Sequence, residues 1–370
     1  MNILLWHRYL FFKTAARTAL LLLLFFLLYL LIDASIHLKQ VAGTLGFFSP
    51  TLYLYYTFIF SQMLELFLPL AFLLSATSTL FYLNHHRELL AFQVGGLGKR
   101  NLILPFLALS ALLMVVMYAN EEWVRPRSVK FIDKIETRYL KAKGAQHKKS
   151  NIHCYPISDS SKVIFSNFSS EESALTDVFF IRDSKTIFHA KKLVMHPNYS
   201  EGVSVDQFSQ NSNGHFIKTK SDNKRAFLSL KIDPRLIDVK ITPVKHLSLS
   251  DLFNFSFSQD ALPLFPLAQI KTHFFYKCFI PFLLPLILLF VFPVCTTFSR
   301  KTPTLLITAI SIFSLVIFYI LQNAFLLLGE SGVVPPLLSI IIVPIFTVSA
   351  FLAKQAYSFY AIRKNTSSLT

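Results

Sequence analysis

Charge is thin in this 370-residue chain: Asp, Glu, Lys and Arg together make up only 15%. A soluble domain carries about a quarter, so the composition excludes a soluble enzyme of this length. Cysteine is nearly absent. Cys154, Cys278 and Cys295 are too scattered for a disulfide framework, and they leave the redox compartment unread. A phosphate-binding loop is missing too. The Gly95-Gly96-Leu97-Gly98-Lys99-Arg100 step has Gln93 where such a loop needs its first glycine, and Arg100 where it needs Ser or Thr. Metal spacing is also lacking: His85 and His86 point to different faces of a helix, and no HExxH or Cys/His pattern accompanies them. The chain has no nucleophile elbow for a hydrolase either.

What the chain does have is hydrophobic sequence, 53% of residues with 39 Phe, gathered into long runs. About 20 apolar residues suffice for a helix to cross the hydrocarbon core. Six segments qualify: roughly 14–36, 52–83, 101–119, 274–298, 303–328 and 333–353. The first is too long in its apolar core for a signal peptide, and Asp33-Ala34-Ser35-Ile36-His37 makes a poor cleavage site. The second carries Glu65 and Pro69, which predicts a tilt or kink.

The net charge of +16 is unevenly placed. Residues 120–270 hold 22 Lys/Arg and 16 Asp/Glu, an ordinary soluble balance. The remainder has four acids only: Asp33, Glu65, Glu88 and Glu330. That excess of cations suits anionic lipid or an anionic amphiphile, and no basic run interleaved with aromatics argues for nucleic acid. Loop charge also predicts orientation. Arg8, Lys13 and Arg17, then Arg87, Lys99 and Arg100, then Arg300 and Lys301, then Lys354, Arg363 and Lys364 fall on one side. Lys39 stands alone in the alternating short loops. Both termini are therefore expected in the cytoplasm, with 120–270 outside.

That insertion opens on a helical stretch, about 121–142, and continues in short β-rich runs. These are Lys162–Phe168, Asp177–Arg182, Thr186–Met195, Gly202–Phe208, His215–Lys220 and Ala226–Ile232. Turn signals separate them, which predicts a sandwich or jelly roll. The expected fold is an α-helical membrane protein of three plus three spans with an inserted all-β domain. Its parts are an N-terminal membrane half, 1–119, an outer β-domain, 120–270, and a C-terminal membrane half, 271–370.

Two features point to chemistry. Residues 84–100 read as a short amphipathic helix between spans, with Arg87 and Glu88 at its start and a Gly95-Gly96 stop. It either lies on the membrane or seats in a groove of a cytoplasmic partner, with Glu88 as the pairing acid. The second feature is a set of outer cations: Lys39, Arg125, Arg127, Lys130, Lys271 and Lys277. They either snorkel as anchors or bind a headgroup with several phosphates or carboxylates.

Several motifs then resemble one family, the lipopolysaccharide-export permeases of the LptF/LptG (YjgP/YjgQ) type. They are Arg8-Tyr9-Leu10 ahead of the first span, Leu68-Pro69-Leu70 in the second, Glu88 nineteen residues past Pro69, and Gly96 eight past Glu88. Asn120-Glu121-Glu122-Trp123-Val124-Arg125-Pro126 follows at the close of the third span. The resemblance implies a permease subunit in the bacterial inner membrane rather than an enzyme. It implies a second permease of the same plan, a cytoplasmic ABC ATPase dimer that carries the ATP and Mg, and a periplasmic bridge protein. The chain itself would hold no cofactor or metal.

The implied cargo is lipopolysaccharide, passed through β-jellyroll domains. Each buried CH₂ contributes about 0.8 kcal/mol, so a lipid of several chains has to move between apolar surfaces. Val163, Phe165, Phe179, Ile181, Val203, Val205 and Phe227, on the strands, are candidates for that path or for plain core. A rival from another class is a membrane-anchored periplasmic scaffold that moves no lipid.

Overall fold

The computed structural model of the chain describes residues 3–45, 50–135, 153–157, 161–169, 173–183, 185–196, 199–211, 215–227, 230, 237, 243–257, 267–296 and 304–367. The chain divides into two compact units. One comprises Met1–Lys143, Ser248–Ser250 and Lys271–Thr370; the other comprises Gly144–Leu247 and Asp251–Ile270.

The first unit is helical. In chain order it holds α1 (Ile3–Leu45), α2 (Pro50–His85), α3 (Glu88–Val94), α4 (Lys99–Ala119) and α5 (Arg125–Ile135). A π-turn, Asn120–Val124, joins α4 to α5. A short helix α6 (Leu249–Phe257) precedes α7 (Leu267–Phe279) and α8 (Leu283–Cys295), which a 3₁₀ turn at Ile280–Phe282 connects. Last come α9 (Thr304–Glu330) and α10 (Pro336–Ser367). Among the described residues, six helices are long and apolar enough to cross a membrane: Leu5–Ile36, Pro50–His85, Asn101–Ile132, Leu267–Cys295, Thr304–Glu330 and Pro336–Ala353.

The third of these runs past residue 119, where the apolar sequence stops. Pro126 cannot donate the backbone bond that an α-helix needs there. The π-turn takes up the mismatch one residue earlier: Arg125 N bonds Asn120 O, and the helix continues. Beyond it α5 is amphipathic. Val129, Ile132 and Ile135 are buried, while Arg127 and Lys130 are exposed. Ile132 and Ile135 pack in one cluster with Tyr55 and Ile59 of α2.

Lipid offers no hydrophobic drive between helices, so close packing and polar contacts hold the bundle. Leu10, Phe72, Leu80, Phe106, Leu284 and Leu288 are almost fully buried in its core. Between α1 and α2, Thr18 Oγ1 lies 2.6 Å from Ser75 Oγ. Pro69 leaves the Glu65 carbonyl without its helical donor, and the Tyr319 hydroxyl of α9 donates to it at 3.0 Å.

The approach of α9 to α10 is closest at Gly329. A Cβ there would lie 2.4 Å from Ser339 Oγ and 2.8 Å from Thr272 Cγ2. Gly329→Ala is accordingly expected to destabilise the helical unit by about 1–3 kcal/mol, the usual range for overpacking. Adding Ser339→Ala should return part of that loss. Melting of the detergent-solubilised variants reads both effects, and an unchanged midpoint for Gly329→Ala would refute the contact.

The second unit is built on a seven-stranded antiparallel sheet: β1 (His153–Pro156), β2 (Lys162–Phe165), β3 (Asn167–Ser169), β4 (Ala174–Asp183), β5 (Thr186–Met195), β6 (Ser200–Gln210) and β7 (Phe216–Phe227). The order is β1-β2-β4-β5-β6-β7, and β3 pairs with β4. The described strands form this one sheet. β7 joins two runs that look separate in sequence, because Ser221 and Arg225 bond Asp206 and Gln207 of β6 across the polar gap. Lys218 also reaches Asp206, at 2.7 Å, and these bonds hold that exposed carboxyl below its ordinary range.

One line crosses the sheet where the in/out alternation inverts. Asp177 on β4 and Ser204 on β6 both have left-handed φ, 55° in each case. Burial then shifts phase on β4, β5 and β6: Leu175 to Val178, Ala190 to Leu193, and Gly202 to Val205. A single such step moves every later side chain to the other face.

Candidate functional site

The sequence candidates fall into three places. The first is the α2–α4 connection. Here α3 ends in a Schellman arrangement: Leu97 N bonds Phe92 O and Gly96 N bonds Gln93 O, at 3.0 and 3.1 Å. Gly96 sits at the left-handed position with φ 86°, where a side chain would be strained. Arg87, which precedes α3, is also left-handed at φ 56° and is exposed. It holds this conformation at a cost of order 1–3 kcal/mol.

One residue fastens α3 to the bundle. Leu89 is only 2% exposed, in a cluster with Trp6, Leu10, Leu83 and Leu102, whereas Val94 is 80% exposed. Glu88 is partly exposed, and Tyr9 OH donates to its Oε2 at 3.4 Å. Nearby, Lys13 hydrogen-bonds Tyr9 OH and stands 3.6 Å from the Tyr82 ring centroid. The helix therefore presents an acid, Leu90 and Val94 on a short rigid element.

The second place concerns the outer cations, and there the structure separates them. Arg127 and Lys130 are exposed, and Lys271 is half-buried. Lys39 lies in α1 with its side chain outside the described residues. Arg125 and Lys277 instead turn inward and meet. Arg125 bonds Glu65 Oε2 at 2.5 Å and also pairs with Glu121. Lys277 Nζ stands 2.8 Å from Glu121 Oε2, an ion pair without good hydrogen-bond geometry. Both Lys277 and Glu121 are 2% exposed. Tyr276 OH completes the group with a 2.6 Å bond to Glu65 Oε1.

Two cations and two carboxylates thus neutralise one another inside the helical unit. Glu65 and Glu121 each lie twenty residues from the 84–100 connection, about 30 Å along their helices. That distance is the thickness of a hydrocarbon core. Neighbouring backbone irregularities feed the same region. Tyr118 OH donates 2.5 Å to Cys278 O beside the 3₁₀ turn, and Ser61 and Asn120 exchange bonds of 2.6 and 3.0 Å at the π-turn.

The motif residues Glu121 and Glu65 were visible in sequence, but not as partners of Arg125 and Lys277. The signal that finds them is the rarity of acids in apolar segments. An ionisable group there has a partner or a function.

The third place is the sheet's buried face. Val163, Phe165, Val205 and Phe227 are buried in one cluster with Val178, Phe180, Phe188 and Leu193. Ile181 and Val203 are half-buried. Phe179 is turned outward, 39% exposed, and its ring stacks on His189 at 4.4 Å. The inversion at Asp177 explains this, since it puts Val178 and Phe180 inward in place of Phe179 and Ile181.

Six membrane-length apolar helices and an antiparallel β unit define a multi-pass membrane protein with a β domain. No metal-binding group of three His, Cys, Asp or Glu occurs among the described residues. The family model for "Lipopolysaccharide export system permease LptF/LptG" matches residues 8–354, almost the whole chain. The chain belongs to this family, and it is a lipopolysaccharide export permease rather than an enzyme. No curated protein matches it.

Proposed function

We propose that the chain is one permease subunit of an ATP-driven exporter in the inner membrane. It would take lipopolysaccharide from the outer leaflet and pass it to a periplasmic bridge protein, beside a second permease of the same plan. The spans would run three before and three after residues 120–270, which would lie outside as a jellyroll-type domain, with both termini in the cytoplasm. A separate cytoplasmic ATPase dimer would bring the ATP and Mg. The observation that carries this reading is α3. It is a rigid element between two long spans, buried through Leu89 and open through Glu88, Leu90 and Val94. An anchored helix with an outward acid and two outward apolar residues fits a groove on a partner better than it fits a flat membrane surface.

Affinity purification of the chain tests this against the scaffold reading. An exporter subunit brings an ATPase with it, and a scaffold has no reason to. Purification that never recovers an ATPase would contradict the proposal.

For the cargo headgroup we assign the outward cations Arg127 and Lys130, with Lys39 and Lys271. Arg125 and Lys277 are neutralised by Glu65 and Glu121. Reversing Lys39, Arg127 and Lys130 together to Glu is expected to weaken lipopolysaccharide crosslinking by about tenfold, summing exposed contacts of roughly 0.2–1 kcal/mol each. Stability should stay within about 0.5 kcal/mol, as is usual for surface positions. Normal crosslinking and export in the triple variant would reduce these cations to anchors. The buried face around Val163, Phe165, Val205 and Phe227 is our candidate for the acyl path, with Ile181 and Val203 at its margin. Phe179 would join it only at an edge.

A further inference from the structure

An apolar cleft opens in the helical unit where the 3₁₀ turn interrupts the α7–α8 span. Phe279, Phe282 and Leu286 line it from that span, Phe318 and Gln322 from α9, and Pro344 from α10. It holds about 490 Å³ of space, within the range of small-ligand sites. Phe279 and Phe282 are exposed and form its rim. Two prolines, Pro281 and Pro285, disturb the α7–α8 backbone there and keep it from packing flush.

Gln322 is only 2% exposed within this lining. Its Nε2 donates to the Ile340 carbonyl at 3.3 Å. In an unbroken helix residue 344 would do that, but Pro344 has no N–H. A carbonyl only accepts, so this bond fixes which end of the amide is nitrogen. Oε1 is left over, with no hydrogen-bond partner among the described residues. The Tyr276 hydroxyl, also on the lining, already donates to Glu65. A water would find two acceptors at most and no donor, where buried waters typically make about three bonds. An apolar body with a single donor meets both demands of the cleft.

We propose that the cleft binds one acyl chain that bears a hydroxyl or amide N–H near its head, supplied by a lipid of the surrounding bilayer. The donor pairs with Gln322 Oε1 and the hydrocarbon lies against Phe282, Leu286 and Phe318. An ordinary ester-linked chain has acceptors only, and it leaves Oε1 unmet. The inference needs the helices to sit in lipid; it does not rest on the export reading.

The test uses the full chain in phosphatidylcholine nanodiscs, without ATPase or lipopolysaccharide, so that failure of export cannot affect it. A diazirine-bearing fatty acid is photocrosslinked and its sites are mapped by mass spectrometry. Crosslinks are expected at the α7–α8 turn and near Ile340. Unlabelled 3-hydroxytetradecanoic acid should displace them at about tenfold lower concentration than tetradecanoic acid, the scale of one satisfied hydrogen bond. In the double variant Gln322→Leu with Pro344→Ala, the second change returns an N–H to Ile340 O. The crosslinks should remain there and the tenfold preference should vanish. Leu286→Trp, which fills the cleft, should abolish the crosslinks. Equal displacement by the two acids in the unaltered chain, a preference that survives the double variant, or crosslinks only elsewhere would each overturn the proposal. So would displacement by added lipopolysaccharide alone, which would give the cleft to the cargo.

Discussion

Glu88→Lys is expected to lower association with the ATPase by about ten- to a hundredfold and to abolish ATP-dependent lipopolysaccharide release. The proposed contact is a charge-assisted hydrogen bond from the ATPase to the Glu88 carboxylate, of about 1.5–3 kcal/mol. Only Tyr9 OH touches that carboxylate among the printed contacts, at the long distance of 3.4 Å, so most of its hydrogen-bonding capacity is open. Reversal also sets a new cation beside Arg87 and the partner's donor. The fold should survive, because Leu89, Phe92 and Leu97 hold α3 to the bundle and none of them changes. Glu88→Ala should show the same defect at a smaller scale. Pull-down of the ATPase and release from proteoliposomes measure the two parts separately. Full binding and full release in both variants would return α3 to an interfacial helix.

Lys277→Met is expected to cost about 3–5 kcal/mol, the range for removing one partner of a buried ion pair. It leaves Glu65 and Glu121 to share Arg125 at a site where water does not reach Glu121. Glu121→Gln should be costly for the mirror-image reason. The double variant is the sharper test. Without both Lys277 and Glu121 charges, Arg125 and Glu65 remain as a balanced pair at 2.5 Å. The double variant should therefore melt above at least one of the single variants, with a coupling of about 0.5–3 kcal/mol. Thermal unfolding of the detergent-solubilised protein reads all three. Strictly additive losses would mean that the four groups do not act as a network.

The six spans are legible in sequence because a run of about twenty apolar residues depends on composition alone. The end of the third is not. Hydropathy stops at Ala119, while the backbone passes through Pro126 on a π-turn that no residue type announces. The stop after α3 is readable, since Gly95-Gly96 leaves little else for the chain to do. Thr186–Met195 is read to the residue, but the facing of β4 is lost at Asp177. A left-handed Asp is uncommon enough that alternation gives no warning of it.

The largest misplacement concerns Arg125 and Lys277, which look like outward cations on a basic stretch. Their carboxylate partners sit on the same π-turn and on another helix, and such pairing belongs to tertiary structure. Glu65 offered the clue, as an acid in the middle of an apolar run.

The most direct test of the central claim is lipopolysaccharide release from proteoliposomes that contain this chain, its partner permease and the ATPase, with the bridge protein outside as acceptor. The account predicts release that requires ATP and all three components, and that falls to background with Glu88→Lys. Release that is indifferent to ATP or to the presence of this chain would contradict it.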